Sequence, residues 1–256
     1  MHVVVCIKSV TLAAPAGKVV RTPENSGLNP FDRPAIERAV ELARVTRGTV
    51  TALSMGPPAA EPALFEALAL GADRAVLLCD PVLAGADTLA TSRALAAAIR
   101  TLPRADAVLF GARASDSDTG QVGPQCATML DMPLVCNVRE TRMEEDTLVA
   151  VREADGFVEE YSLDLPCALT VHPDAGETRD VGLGAIERVF TDKTVQRMTA
   201  KDAGIDPGVV GEAGSPTVVL DMAVVSRDRQ CEFLDGSPEE QASALVERLA
   251  AAGLVN

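Results

Sequence analysis

A loop of small and polar residues follows an apolar run in the middle of the chain, and its residue types suit phosphate binding. The run Ala107–Gly111 predicts a buried strand, and Gln125–Leu130 predicts a helix after the loop. Backbone N–H groups in such a turn, together with a helix N-terminus, form a concave site for an anion. The loop reads Asp116, Ser117, Asp118, Thr119, Gly120, Gln121, Val122 and Gly123.

The same loop also has an ordinary interpretation, as a polar connection in which Thr119 or Asp118 caps the following helix. Asp116 and Asp118 are unfavourable beside a phosphate because like charges repel. These carboxylates must therefore point away, contact donors or serve another part of a nucleotide. Gly120 and Gly123 favour phosphate binding, because glycine permits positive φ and close approach of a ligand.

Three further residues fall where a nucleotide would lie beyond the ends of parallel strands. Asn29 precedes Pro30, so its side chain either caps a helix or reaches an adenine or ribose. Phe31 either packs on a purine or joins the core. Met55 ends a predicted strand, where its thioether lines an adenine pocket or packs in the core.

Short apolar runs alternate with helical patterns over the first half of the chain. This alternation predicts a parallel sheet with helices on both faces, joined by right-handed crossovers. The predicted strands are Val3–Ile7, Thr49–Met55, Arg74–Cys79 and Asp106–Gly111. The predicted helices are Asp32–Arg44, Pro62–Leu70 and Asp87–Arg100.

The pattern changes in the second half, where alternating residues predict antiparallel strands. The turn Asp155-Gly156 predicts a hairpin between the last two of them. The predicted strands are Asn137–Met143, Thr147–Arg152 and Phe157–Leu163, followed by the short strand Pro166–Val171.

From Thr178 onward we expect the βα alternation to end. A final helix, Pro238–Ala252, carries Ser237 as its N-cap and Glu240 three residues later, which predicts a capping box. We therefore expect a nucleotide-binding α/β domain over residues 1–192. Residues 193–256 are expected to form an arm and helix that pack on a partner subunit.

Composition excludes several classes of function. The 256 residues carry a net charge of −14, with no dense cationic patch of the kind that nucleic acid and anionic membranes require. No apolar stretch is long enough to span a bilayer. Six cysteines without C-x-x-C spacing fit a reduced cytoplasmic protein, and two histidines are too few for a metal site or a catalytic triad.

Several motifs, in order along the chain, together resemble the β subunit of electron transfer flavoproteins. The resemblance extends from the first strand to the last helix. Its motifs are Cys6-Ile7-Lys8, Leu28-Asn29-Pro30-Phe31-Asp32, Ala67 to Ala75, the loop Asp116 to Gln125, Arg152 to Gly156, and Leu165 to Thr170.

The resemblance implies a heterodimer with an α subunit that carries the electron-transferring FAD, and a dehydrogenase-type redox partner. The β pocket of the family holds either AMP or, in members that bifurcate electrons, a second FAD. The loop Asp116 to Gln125 resembles the bifurcating type more closely, which favours FAD. The corresponding positions are Cys6, Asn29, Pro30, Phe31, Asp32, Met55, Gly111, Arg113, Asp116, Ser117, Asp118, Thr119, Gly120, Gln121 and Val122.

Two features depart from or qualify the resemblance. The family usually has a basic residue directly after Gly111, whereas this chain has Ala112 first and Arg113 second. Leu183 aligns with a leucine that anchors dehydrogenase partners, but the residues around it differ, which suggests an atypical partner.

The sequence shows no activated nucleophile and no acid–base pair, as expected for an electron carrier whose flavin supplies the redox chemistry. We therefore predict a three-layer Rossmann-like α/β domain that acts as an electron transfer flavoprotein β subunit.

Two alternatives stay open at this point. One is a stand-alone adenine-nucleotide enzyme, although a basic, glycine-rich pyrophosphatase loop is missing. The other is a nucleotide-sensing regulatory domain, which leaves the arm unexplained.

Overall fold

The computed structural model of the chain describes residues 1–13, 20–176, 178–192, 194–220 and 231–255. The chain divides into two compact units, Met1–Asp221 and Met222–Asn256.

A twisted sheet of nine strands forms the centre of the first unit, in the order β11-β5-β4-β1-β6-β10-β7-β8-β9. The strands are β1 (His2–Cys6), β4 (Thr49–Met55), β5 (Arg74–Leu78), β6 (Ala107–Gly111), β7 (Leu134–Glu144), β8 (Thr147–Ala154), β9 (Phe157–Asp164), β10 (Cys167–Val171) and β11 (Val195–Met198). A separate antiparallel pair consists of β2 (Ser9–Thr11) and β3 (Ser26–Leu28).

Helices cover both faces of this sheet, because successive strand residues point to opposite sides. Val3 and Val5 of β1 belong to one buried cluster and Val4 to another. The first cluster includes residues of α1 and α2, and the second includes residues of α3 and α4. The helices are α1 (Arg33–Thr46), α2 (Glu61–Leu70), α3 (Thr88–Thr101), α4 (Val122–Leu130), α5 (Leu183–Asp192) and α6 (Pro238–Ala251).

The strand order reverses direction between β1 and β6. The chain runs from β1 through α1 to β4 and through α2 to β5, moving steadily to one side. Helix α3 then carries the chain back to β6, which pairs in parallel with the other side of β1, with Cys6 opposite Phe110. Ligands of open α/β sheets bind beyond the carboxyl ends of the strands at such a reversal. The predicted site residues Asn29 and Gly111 lie at this point.

The predicted three-layer α/β fold with an added antiparallel region is confirmed. Strands β7, β8 and β9 pair antiparallel as expected, and Asp155 and Gly156 of the connecting turn have φ of 52° and 81°. The start of β7 also pairs in parallel with β10, so the antiparallel strands continue the main sheet. No helix in the described ranges combines the length and the apolar character needed to cross a bilayer.

The expected end of the βα alternation at Thr178 is wrong. Helix α5 packs on α2, where Phe190 stacks on Phe65 with ring centroids 4.9 Å apart, and β11 pairs in parallel with β5. The sequence pattern does not predict these two elements. Gly182 and Gly184 flank the start of α5, and β11 has only four residues, two of them exposed.

The second unit contains α6, and the predicted capping box is present. The Ser237 hydroxyl accepts from Glu240 N at 3.3 Å, and Glu240 Oε2 accepts from Ser237 N at 2.7 Å. The first unit extends to Asp221, past the domain boundary expected at residue 192. The packing of the remaining arm on a partner subunit stays a prediction.

Candidate functional site

The loop between β6 and α4 lies at the carboxyl edge of the sheet, where the strand order reverses. Its backbone is sharply turned, because Asp118 has φ of 53° and Gly120 has φ of 62°. The residue before α4 is Gln121, whose side chain makes no capping hydrogen bond. The alternative in which Thr119 or Asp118 caps α4 is therefore wrong, since the residue at the cap position, Gln121, lies two positions after Thr119.

Asn29 holds this loop from the opposite side of the reversal point. Its side chain is 1% exposed, its Nδ2 donates to Arg113 O at 2.9 Å, and its Oδ1 accepts from Ser115 N at 3.1 Å. Its own N–H donates to Lys8 O at 3.0 Å. Asn29 makes no side-chain cap, so that predicted role is wrong; both ends of the amide are committed to the loop. Asn29 thus connects the end of β1 to the loop after β6.

Asp32 is buried beneath the same junction. Its side chain is 4% exposed, and Oδ2 accepts from Lys8 N at 2.7 Å. Burial raises the pKa of Asp32 to about 7, although hydrogen bonds from the Lys8 backbone and the Asn29 side chain oppose the rise. Asp32 therefore changes its charge near neutral pH, which is unusual for a carboxyl group.

Gly111 must be glycine because the turn at Phe31 and Asp32 lies directly against it. A Cβ on Gly111 would lie 2.5 Å from the Phe31 carbonyl oxygen and closer still to Asp32 Oδ1. No side chain fits in that space. The close approach brings the end of β6 against the turn that precedes α1.

Each carboxylate of the loop contacts a cation. Asp116 Oδ1 lies 2.6 Å from Lys8 Nζ, and Asp118 Oδ1 lies 3.3 Å from Arg113 Nη1. The Arg113 guanidinium also lies over the Phe31 ring, 4.6 Å from its centroid. These contacts explain how two acidic residues are tolerated in a phosphate-type loop. They also bring two cations to the mouth of the site.

Several N–H groups of the loop are free to bind an anion. Among the described residues, no acceptor contacts the backbone N–H groups of Ser117, Thr119, Gly120 and Gln121. The first turn of α4 adds N–H groups that cannot bond within the helix. A row of free donors at a helix N-terminus suits a phosphate or diphosphate. The backbone of the loop therefore fits an anionic phosphate group.

The start of α3 supports the loop from the side of α4. The Thr88 hydroxyl donates to Gln121 Oε1 at 2.9 Å. The buried Ser92 hydroxyl lies 2.7 Å from Thr88 O and 3.0 Å from Gln125 Oε1. Sequence analysis missed Thr88 and Ser92. Their only local signal is their place in the first turns of a helix that begins after a strand end.

The remaining predicted positions differ in their exposure. Cys6 is 6% exposed and lies in the core cluster on the α3 and α4 side; burial, then the Cys126 thiol and the Asp32 carboxyl, raise its pKa. Met55 and Val122 are partly buried against the same cluster. Pro30 is exposed at the reversal point. Their contacts with a ligand stay predictions.

Leu183 lies away from the loop, at the start of α5. Its side chain is 86% exposed, whereas Val189 on the same helix is buried against the first core cluster. The structure thus leaves a large apolar residue in solvent at the position predicted to contact a partner.

Comparisons with known proteins match this architecture. The electron transfer flavoprotein domain matches residues 16–203. The electron transfer flavoprotein subunit beta of Thermoanaerobacterium thermosaccharolyticum is 38% identical over 255 residues, which cover 97% of this chain and 98% of that protein. Protein FixA of Bradyrhizobium diazoefficiens is 36% identical, with 97% of this chain and 91% of that protein covered. The caffeyl-CoA reductase-Etf complex subunit CarD of Acetobacterium woodii is 35% identical, with 97% and 98% covered.

The matching domain extends over the reversal point and the whole loop after β6. The relatives match along nearly their whole length, including the second unit. The resemblance seen in the sequence motifs is therefore confirmed, and the chain belongs to the electron transfer flavoprotein family as a β subunit.

Proposed function

We propose that this β subunit binds an adenine nucleotide at the loop between β6 and α4, and that the nucleotide is FAD rather than AMP. The backbone N–H groups of Ser117, Thr119, Gly120 and Gln121, which contact no acceptor in the described part of the chain, carry this proposal. They would hold the phosphates, while Asn29 and Asp32 hold the loop in shape. Lys8 and Arg113 would offset the negative charge of the ligand at the mouth of the site.

The preference for FAD rests on the loop sequence, which resembles that of bifurcating members of the family. A diphosphate also has more oxygens than a single phosphate with which to accept from these N–H groups. Flavin supplies the redox chemistry when it is bound; the protein fixes its position and exposure. A second flavin would let the complex divide an electron pair between a strong and a weak acceptor.

We further propose that the chain forms a heterodimer with an α subunit that carries FAD, and that it passes electrons between a dehydrogenase-type donor and an acceptor in the cytoplasm. The name of the relative CarD places that protein in an Etf complex. In the second unit, Leu245 and Val246 on α6 are about half exposed, at 49% and 59%. Exposed apolar side chains on this helix suit burial against a partner.

Counting the nucleotides in the purified complex tests these proposals. The chain is co-expressed with the α subunit, and the released nucleotides are quantified by chromatography together with the visible spectrum. Two FAD per heterodimer are expected. One FAD and one AMP would reject FAD in this subunit and bifurcation with it. A complex without any nucleotide beyond the α-subunit FAD would reject the proposed site altogether.

Replacing Leu183 with alanine is expected to weaken binding of the redox partner by about tenfold, because an exposed apolar anchor at an interface contributes roughly 1–2 kcal/mol. The affinity of the complex for its dehydrogenase is measured by surface plasmon resonance. Leu12→Ala serves as the control, because Leu12 is also exposed, at 66%, but lies beside the β2–β3 pair. Equal affinities for both variants would contradict a role of Leu183 in partner binding.

A further inference from the structure

Asp32 lies beneath the proposed site and is 4% exposed. Its carboxylate is buried, bonds to Lys8 N through Oδ2, and lies against Gly111 through Oδ1. Asn29, three residues earlier in the same turn, holds the loop at Arg113 and Ser115. Asp32 thus joins the ends of β1 and β6 at the place where the nucleotide loop begins.

The charged groups around Asp32 leave its negative charge weakly compensated. Lys8 is the nearest cation, but its ammonium group contacts Asp116 at 2.6 Å. Arg113 is paired with Asp118, and the Cys6 thiol facing Asp32 is uncharged because burial raises its pKa. No ion pair joins Asp32 to a cation in the part of the chain that the structure describes. Burial therefore keeps the pKa of this carboxyl near 7.

An anionic ligand would oppose the charge on Asp32. A phosphate bound at the loop raises the electrostatic cost of a second negative charge beneath it, and this cost is large where water is excluded. The bound phosphate also offsets the positive charge of Lys8, which otherwise stabilises the Asp32 carboxylate. The protonated carboxyl becomes the favoured form when the ligand is present.

We propose that Asp32 is a positioning residue for the nucleotide loop and takes up a proton when the nucleotide binds; this inference rests on the proposed function. The proton comes from solvent and forms one O–H bond on the Asp32 carboxylate, whose Oδ2 accepts from Lys8 N. The carboxylate becomes a neutral carboxylic acid, and the bonds by which Asn29 holds the loop are unchanged. Nucleotide release returns the proton to solvent.

Calorimetric titration of the nucleotide-depleted, full-length chain with FAD tests the proposal. Titrations in two buffers with different ionisation enthalpies give the number of protons taken up. The diphosphate of FAD does not titrate near neutral pH, so uptake reports on the protein. We expect net proton uptake at pH 7 and an affinity that falls about threefold to tenfold between pH 6 and pH 8. No uptake by the wild-type chain would overturn the proposal, whatever the variants do.

Asp32→Asn separates proton uptake from a merely structural role. An asparagine keeps an oxygen for Lys8 N and mimics the neutral acid, so its FAD affinity is expected to be independent of pH and at least equal to the wild-type affinity at pH 8. Uniform loss of affinity with an unchanged pH slope would overturn the proposal.

Asp106→Asn is the matched control, because Asp106 also accepts a backbone N–H, from His2 at 2.7 Å, but lies at the opposite edge of the sheet. This variant is expected to keep the wild-type proton uptake, and loss of uptake there would assign the effect to general destabilisation and overturn the proposal. A wild-type chain that binds neither FAD nor AMP at any pH would instead remove the proposed function, and this inference with it.

Discussion

Replacing Gly111 with alanine is expected to destabilise the carboxyl edge of the sheet severely and to weaken nucleotide binding. The added methyl group would lie 2.5 Å from the Phe31 carbonyl oxygen and closer to Asp32 Oδ1. A rotamer change of Asp32 could relieve only one of these two contacts. The other is with backbone, so β6 and the turn before α1 must separate.

The expected cost is about 3 kcal/mol or more in the free energy of unfolding, at the upper end of the range for an overpacked core. Because the separation displaces Asp32 and the start of the loop, FAD affinity should fall by at least about tenfold even in the folded fraction. Urea denaturation gives the first quantity, and calorimetric titration of the full-length chain with FAD gives the second.

Gly182→Ala is the control, because a Cβ at Gly182 would meet nothing within 4 Å. This variant is expected to match the wild-type chain in both measurements. If Gly111→Ala has the wild-type stability and affinity, the turn at residues 31–32 does not press on β6, and the packing assigned to this junction is wrong.

The architecture could be predicted from the sequence because each element carries its own local signal. Strand β4 begins and ends at the predicted residues, since a run of buried apolar residues stops at a Gly-Pro turn. The loop after β6 was found for the same reason: small and hydroxyl residues follow the strand directly. Helix α6 was found from its capping box.

The contacts that shape the site could not be predicted, because they join residues far apart in the chain. Lys8 and Asp116 are separated by 108 positions, and Asn29 and Arg113 by 84. Their residue types fit many local roles, and only the reversal of strand order brings them together. The family resemblance indicated these positions. It did not predict that Asn29 bonds to the loop or that Asp32 is buried below it.

Asn29 shows most clearly how a side-chain role differs from its sequence-based prediction, because its side chain was expected to cap a helix or to contact a nucleotide. The structure shows its amide bonded to Arg113 O and Ser115 N and not capping a helix, while contact with a nucleotide stays a prediction. Asn29→Ala is expected to destabilise the chain by about 2 kcal/mol, since it leaves two partly buried backbone groups without partners. FAD affinity should fall by about tenfold, because the freed loop must be ordered again when the ligand binds.

Asn25→Ala provides a control of the same residue type and a similar bonding pattern. Asn25 accepts from Ala13 N at 2.9 Å and donates to Ala13 O and Val20 O, both at 2.8 Å, but lies beside the β2–β3 pair. Its replacement is expected to reduce stability without changing FAD affinity. A comparable loss of affinity in both variants would mean that the effect of Asn29 reflects general stability.

Hydrogen exchange of the nucleotide-free chain separates the two possible roles of Asn29. If its amide holds the loop, residues 112–121 of Asn29→Ala exchange faster than in the wild-type chain before any ligand is added, and the loss of affinity follows from that disorder. If its amide instead contacts the nucleotide, the free loop keeps its wild-type exchange rate and only the affinity falls. The second result would refute the loop-holding role, because a bond that shapes the loop must act when the ligand is absent.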